Sequence, residues 1–207
     1  MVANARRNNN RESTSNHVFH KCASEMKIKY NSPVILTYTI ICIAVLVLSY
    51  STAVAGLFTS PAGLAFLNPL FYFRLISYAV GHAGWPHLMG NLMVILLIGP
   101  LIEEKYGSAR LLEMFFITAV TTAILNAAIF SNSLIGDSGL AFMLILLGSF
   151  SNIKSKEIPL TFIIIAVLFI GNEVVSTLKV DRISQFSHLA GGFIGAFYGF
   201  LRTGYRL

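Results

Sequence analysis

Six apolar runs divide the chain, at about 33–57, 87–102, 111–130, 138–152, 158–176 and 184–203. A hydrocarbon core takes roughly 17–25 helical residues to cross, and a crossing segment must satisfy its own backbone hydrogen bonds. The pattern predicts an all-α membrane protein, a six-transmembrane-helix bundle. The runs at 87–102 and 138–152 are short, the second giving a short fourth helix. Composition agrees: 55% of residues are hydrophobic and 12% charged, against about 25% charged in soluble domains. The net charge of +6 does not mark a nucleic-acid partner, because the basic residues lie between the apolar runs as juxtamembrane residues do.

With the N-terminus inside, the inner segments hold Arg6, Arg7, Arg11, Lys21, Lys27, Lys29, Lys105, Arg110, Lys154, Lys156, Arg202 and Arg206. The outer segments hold Arg74, Lys179 and Arg182. The positive-inside rule then puts both termini in the cytoplasm. Residues 1–30 are polar and basic and are expected to form a disordered cytoplasmic tail, with residues 31–207 as the helical domain. The charged stretch Met26–Lys29 resembles the start of a signal peptide, but the following run is too long and no small-residue cleavage site follows. Two cysteines, Cys22 and Cys42, make no disulfide framework, and no Cys or His spacing suits a metal, so no cofactor is expected. The outer segment 58–86 is long and apolar, with Leu64, Phe66, Leu67, Leu70, Phe71, Tyr72, Phe73, Tyr78 and Trp85. It is expected to sit in the membrane interface as an embedded first outer loop.

Polar residues on the runs carry the candidate chemistry. Ser138 stands between Gly136 and Gly139 where the fourth run begins. From Ser138 to Ser151 a helix covers about 20 Å of a core about 30 Å thick. The helix must therefore start below the outer surface, and the loop 131–137 must dip to meet it. Such a loop lines a wet cavity or is buried in protein; a water-filled pocket with Ser138 at its floor is expected. The serine is either a nucleophile at the positive end of a helix or an N-cap. On the sixth run His188, Gly191 and Gly195 share a face that would let a neighbouring helix approach closely; if that neighbour is the fourth span, His188 could reach Ser138. His188 is either the general base for Ser138 or a buried packing residue. His87 and Asn91 lie one turn apart near Trp85 and Pro86, as oxyanion donors or as polar residues facing headgroups. Asn126 and Glu173 read as interhelical hydrogen-bonding or interfacial groups, and His17 and His20 as solvated.

These pieces together resemble the rhomboid family of intramembrane serine proteases, over residues 33–203. His87-x-x-x-Asn91 is similar to the family's oxyanion pair, and Gly99-x-x-x-Glu103-x-x-x-Gly107 to its second-span pattern. Gly136-x-Ser138-Gly139 is similar to the nucleophile motif, and His188-x-x-Gly191-x-x-x-Gly195 to the general-base motif. Arg74 resembles the arginine of the first-loop Trp-Arg pair, with Phe73 in place of the tryptophan. The resemblance implies a serine endopeptidase of the small six-span prokaryotic type, multi-pass in the cell membrane, acting on transmembrane protein substrates. Ser138 and His188 would be the catalytic dyad, and His87, Asn91 and the Ser138 N–H the oxyanion site. Phe142 would pack against the base. Phe162, Leu168 and Phe169 would belong to a lateral gate on the fifth span, and His82 would support the oxyanion residues through packing. One position departs from the family: the variable residue beside the nucleophile, usually small or apolar, is Asp137. Ionised, it would repel an oxyanion; buried, it would favour its neutral form. Asp137 motivates the alternative of a catalytically silent rhomboid-like protein that binds membrane helices. A small transporter ranks last, because the polar residues gather toward one side.

Overall fold

The computed structural model describes residues 30–50, 52–130, 132–149 and 184–203, together with Leu160, Ile163, Ile164, Val167, Leu168 and Gly171. The tail expected at 1–30, apart from Tyr30, most of the run at 158–176 with Phe162, Phe169 and Glu173, and the side chain of His188 lie outside the described residues. Among the described residues all regular structure is helical.

Helix α1 spans Pro33–Ser49, with Pro33 in its first turn, where the missing N–H is not needed. Two of its first N–H groups are satisfied from a distant part of the chain. Glu103 Oε1 accepts from Val34 N at 3.0 Å and Oε2 from Ile35 N at 3.1 Å. Gly99, one turn before Glu103, leaves room for this approach: a Cβ there would stand 2.5 Å from Ile35 Cδ1. The expected run 33–57 is not one helix. After Ser49 come a short helix, α2 (Thr52–Ala55), and a 3₁₀ turn at Gly56–Phe58.

The outer segment folds around helix α3 (Pro69–Ser77), capped by Asn68 Oδ1 accepting from Leu70 N at 3.0 Å. Phe71 and Leu75 are buried, while Phe66, Leu67, Tyr72 and Phe73 are exposed. A 3₁₀ turn at Tyr78–Val80 leads to α4 (Trp85–Tyr106).

Helix α4 is longer than the run at 87–102. It passes through Pro100 and continues beyond the charged Glu103-Glu104-Lys105 to Tyr106. Gly107, at φ +84°, ends it, and α5 (Ser108–Ile129) starts at once. A positive φ of this kind favours glycine. At 22 residues each, both helices reach about 33 Å. They are long and apolar enough to cross a bilayer; α1, α6 and Leu189–Leu201 are shorter apolar helices.

Helix α6 (Ser138–Ser149) has only 12 residues, about 18 Å. Ser138 to Ile145 are all buried. A helix that is apolar all round belongs inside a bundle, and α6 packs against α4, α5 and α7 (Ser184–Thr203). The largest core cluster joins Ile95, Ile102, Met114, Ala119, Met143, Leu144, Leu147 and Ala196 from these four helices.

Candidate active site

The start of α6 organises the site. The Asp137 carbonyl accepts the first intrahelical bond, from Ala141 N at 2.9 Å. Asp137 is therefore the N-cap residue, and Ser138 is the first residue of the helix. The N-cap reading of Ser138 is thus replaced: its N–H points out of the helix start, where the positive end of the dipole lies. Just before it, Gly136 has φ +111°, a conformation that favours glycine. Space demands glycine as well. A Cβ at 136 would stand 2.6 Å from His87 Cε1, 2.8 Å from His87 Nε2 and 3.7 Å from Asn91 Nδ2.

His87 and Asn91, on successive turns of α4, thus converge on the turn that delivers Ser138. His87 is half-buried, and Asn91 is buried. Among the described residues Asn91 Nδ2 has no hydrogen-bond partner. A buried, unpaired donor is costly and uncommon in native structures. The open cavity expected above Ser138 is replaced by a closed site, with Ser138 and Asp137 each 1% exposed.

Protein closes over the dipping loop. Leu134 N donates to Ser60 Oγ at 2.7 Å, and Ser60 N donates to Leu134 O at 2.8 Å. Gly136 N donates to Tyr78 O at 3.1 Å. The outer segment is anchored in turn. Tyr78 Oη donates to Ala119 O at 3.1 Å, and burial holds its hydroxyl well above the usual phenol range, so it stays a donor. Tyr38 Oη donates to Ala79 O, and Ser77 Oγ to Leu57 O, both at 2.6 Å. Arg74 binds Thr59 O, Thr59 Oγ1 and Ser60 O at 2.6–3.0 Å. The arginine is a clasp within the segment.

On the other side stands α7. Gly192 packs on α6: a Cβ there would lie 2.7 Å from Phe142 Cδ1, 2.8 Å from Gly139 O and 3.2 Å from Met143 N. Further along, Gly195 meets Met143 and Gly199 meets Leu147. The partners advance in step along both chains, so α6 and α7 run side by side in the same direction. His188 lies on α7 one turn before Gly192, as Ser138 lies one turn before Phe142. The backbone register therefore brings His188 to the level at which α6 begins.

The glycine face of α7 meets two neighbours. Gly191 packs against Thr122 of α5, and Gly195 sits between Thr118 and Met143. The approach to α6 is shared by Gly192, Gly195 and Gly199, four, seven and eleven residues after His188, and Gly199 also meets Met114 of α5. The signal was present, since those positions also lie within about 40° of His188 on the helical wheel at 3.6 residues per turn. Asn126 Nδ2 donates to Asn132 O, in the loop that follows its own helix, not to another helix.

Asp137 does not stand alone. Its Oδ1 lies 3.0 Å from His82 Nε2, with both side chains fully buried. The His82 ring meets the His87 ring edge-on, with centroids 5.2 Å apart. The sequence did not single out this pair, whose members are 55 residues apart.

Residues 70–205 match the Rhomboid domain family. The chain belongs to the rhomboid family. The match runs from inside α3 to beyond α7 and takes in all the candidate site residues. Rhomboid-related protein 1 of Caenorhabditis elegans is 28% identical over 139 residues, 62% of this chain and 39% of that protein. Rhomboid protease GlpG of Haemophilus influenzae is 22% identical over 139 residues, 64% of this chain and 71% of that protein. Rhomboid protease GluP of Bacillus subtilis is 28% identical over 132 residues, 61% of this chain and 25% of that protein. The chain spans less than half the length of several curated rhomboid relatives, 39–47% for three of them. Rhomboid membership and the apolar helices together make this a membrane-embedded helical protein.

Proposed function

We propose that the protein is an intramembrane serine endopeptidase that hydrolyses peptide bonds in or near the transmembrane segments of membrane proteins. The observation that carries the reading is the convergence on Gly136 of His87 and of Asn91 Nδ2, which has no partner among the described residues, two residues before the buried helix start at Ser138. A donor left without a partner in a buried site suits a charge that appears only during reaction. The multi-pass arrangement of six spans, with both termini in the cytoplasm, belongs to the same proposal. So does the division into a tail over 1–30 and a domain over 31–207.

In this reaction Ser138 Oγ attacks the scissile carbonyl carbon while its proton passes to His188. The carbonyl oxygen becomes an oxyanion held by His87, Asn91 and the Ser138 N–H. Collapse breaks the C–N bond; His188 gives its proton to the leaving amine, and an acyl-serine remains. Water then gives a proton to His188 and attacks the acyl carbon. The second tetrahedral species releases the acid, and the proton returns to Ser138. Gly136 and Gly139 shape the turn and the helix contact, Phe142 fills the wall beside Gly192, and Gly191 and Gly195 seat α7 on α5.

The test uses the full chain in proteoliposomes with a single-span substrate carrying small residues near its outer end. A serine-directed fluorophosphonate probe is applied in parallel. Cleavage and labelling are expected from the native protein and lost in Ser138→Ala and His188→Ala. Undiminished cleavage by Ser138→Ala removes the assigned nucleophile. A folded native protein that takes no label favours the silent, helix-binding alternative.

A further inference from the structure

We propose that His82 and Asp137 form a positioning pair that holds the nucleophile turn and the oxyanion histidine in one geometry. The inference rests on the serine-peptidase reading of the same site. Asp137 lies between two backbone constraints. Before it, Gly136 is held at φ +111° and donates to Tyr78 O; after it, α6 begins. Its side chain supplies a third constraint by reaching His82. The His82 ring lies edge-on to His87, and His87 stands over Gly136. The chain of contacts therefore closes: Ser138 is bonded to Asp137, Asp137 touches His82, His82 touches His87, and His87 returns to the turn before Ser138.

A polar tie is needed here because both side chains are fully buried. Tyr38 and Cys42 of α1 lie near the Asp137 carboxyl. Among the described residues neither Asp137 Oδ2 nor His82 Nδ1 has a hydrogen-bond partner. The Oδ1–Nε2 contact, at 3.0 Å, is the direct polar bond between the two buried groups. Whichever partner carries the shared proton, removing Asp137 leaves His82 buried without this bond, at a higher cost than never having had the pair, and removing His82 leaves the carboxyl only the α1 side chains beside it. The contact also gives the carboxyl beside the nucleophile a partner of its own, so the departure at Asp137 becomes part of the site's construction. A packing role for His82 alone does not require a carboxylate at 137; this geometry does.

The experiment measures the fluorophosphonate inactivation rate constant of the full chain in lipid, as kinact and KI separately and per folded molecule, for Asp137→Val, His82→Phe and the double variant. Each single change is expected to lower kinact about tenfold or more with KI little altered, as small misplacements at a reacting centre do. The double variant is expected to be no slower than the slower single, because the second removal finds no contact left to break. Asp137→Asn keeps an acceptor oxygen for His82 and is expected to retain most of the native rate; it decides the matter if the other variants fail to fold. Native kinact in the folded single variants, multiplying losses in the double, or a loss in Asp137→Asn as deep as in Asp137→Val overturns the inference. A native protein that is not labelled, or a Ser138→Ala protein that is, overturns the peptidase reading and this inference with it. Labelling confined to Ser138 with unaffected pair variants overturns this inference alone.

Discussion

Ser60 and Leu134 exchange two hydrogen bonds across 74 residues of sequence: the Ser60 hydroxyl accepts from the Leu134 N–H, and the Ser60 N–H donates to the Leu134 carbonyl. Irregular backbone within a membrane protein must be satisfied by protein where lipid excludes water. The outer segment does that for the loop entering α6, so it is a structural part of the site.

Ser60→Ala removes the side-chain half of this clip and leaves the Leu134 N–H buried without an acceptor. The expected loss is about 1–3 kcal/mol of stability, read as a lowered unfolding midpoint in detergent. Because the loop leads directly to Ser138, probe labelling is expected to fall as well. Unchanged stability and labelling would show that the clip is dispensable.

Glu103 closes the first turn of α1 and also accepts from Ser108 Oγ at 2.7 Å. Three donors lose their partner in Glu103→Ala, and bonds to a charged group count for more than neutral ones. A destabilisation of about 3 kcal/mol or more is expected. Glu103→Gln keeps one acceptor oxygen and is expected to fall between the two in thermal unfolding.

Asn91→Ala separates catalysis from stability. Its Nδ2 makes no hydrogen bond among the described residues, so unfolding is expected to shift little. Cleavage is expected to lose about 10²–10³-fold in kcat, the usual cost of an oxyanion donor. A loss of stability with kcat per folded molecule preserved would make Asn91 a packing residue.

Two glycine substitutions are expected to act in opposite directions. Gly192→Ala drives a Cβ into the Gly139 carbonyl and the Phe142 ring; it should destabilise by about 1–3 kcal/mol and slow probe labelling. Gly90→Ala meets open space on α4 and should stabilise the helix by about 0.5–1 kcal/mol. Thermal unfolding of both variants checks the contrast.

Local signals account for what was legible beforehand. The helix start at Ser138 was marked by Gly136 and Gly139 around the point where the apolar run opens, and the described helix α7 lies on the sixth apolar run. The length of α4 was less legible: its apolar pattern ends before the helix does, because intrahelical bonds continue through charged residues until a glycine at positive φ stops them. The break after Ser49 was obscured because Ala53, Val54 and Ala55 extend the apolar run beyond it.

The sequence by itself determined the helical class, the membrane setting, the order of the candidate residues and the identity of the four side chains that carry the proposed chemistry. These follow from composition, run length and short-range spacing, which the chain carries along its own length. Tertiary structure decided which glycines touch α6, what closes the site above Ser138, and where the Asp137 carboxyl goes. Those outcomes depend on groups tens of residues apart meeting in a dry interior, where an unpaired polar atom must find a partner. No local pattern records that His82 is the partner Asp137 finds.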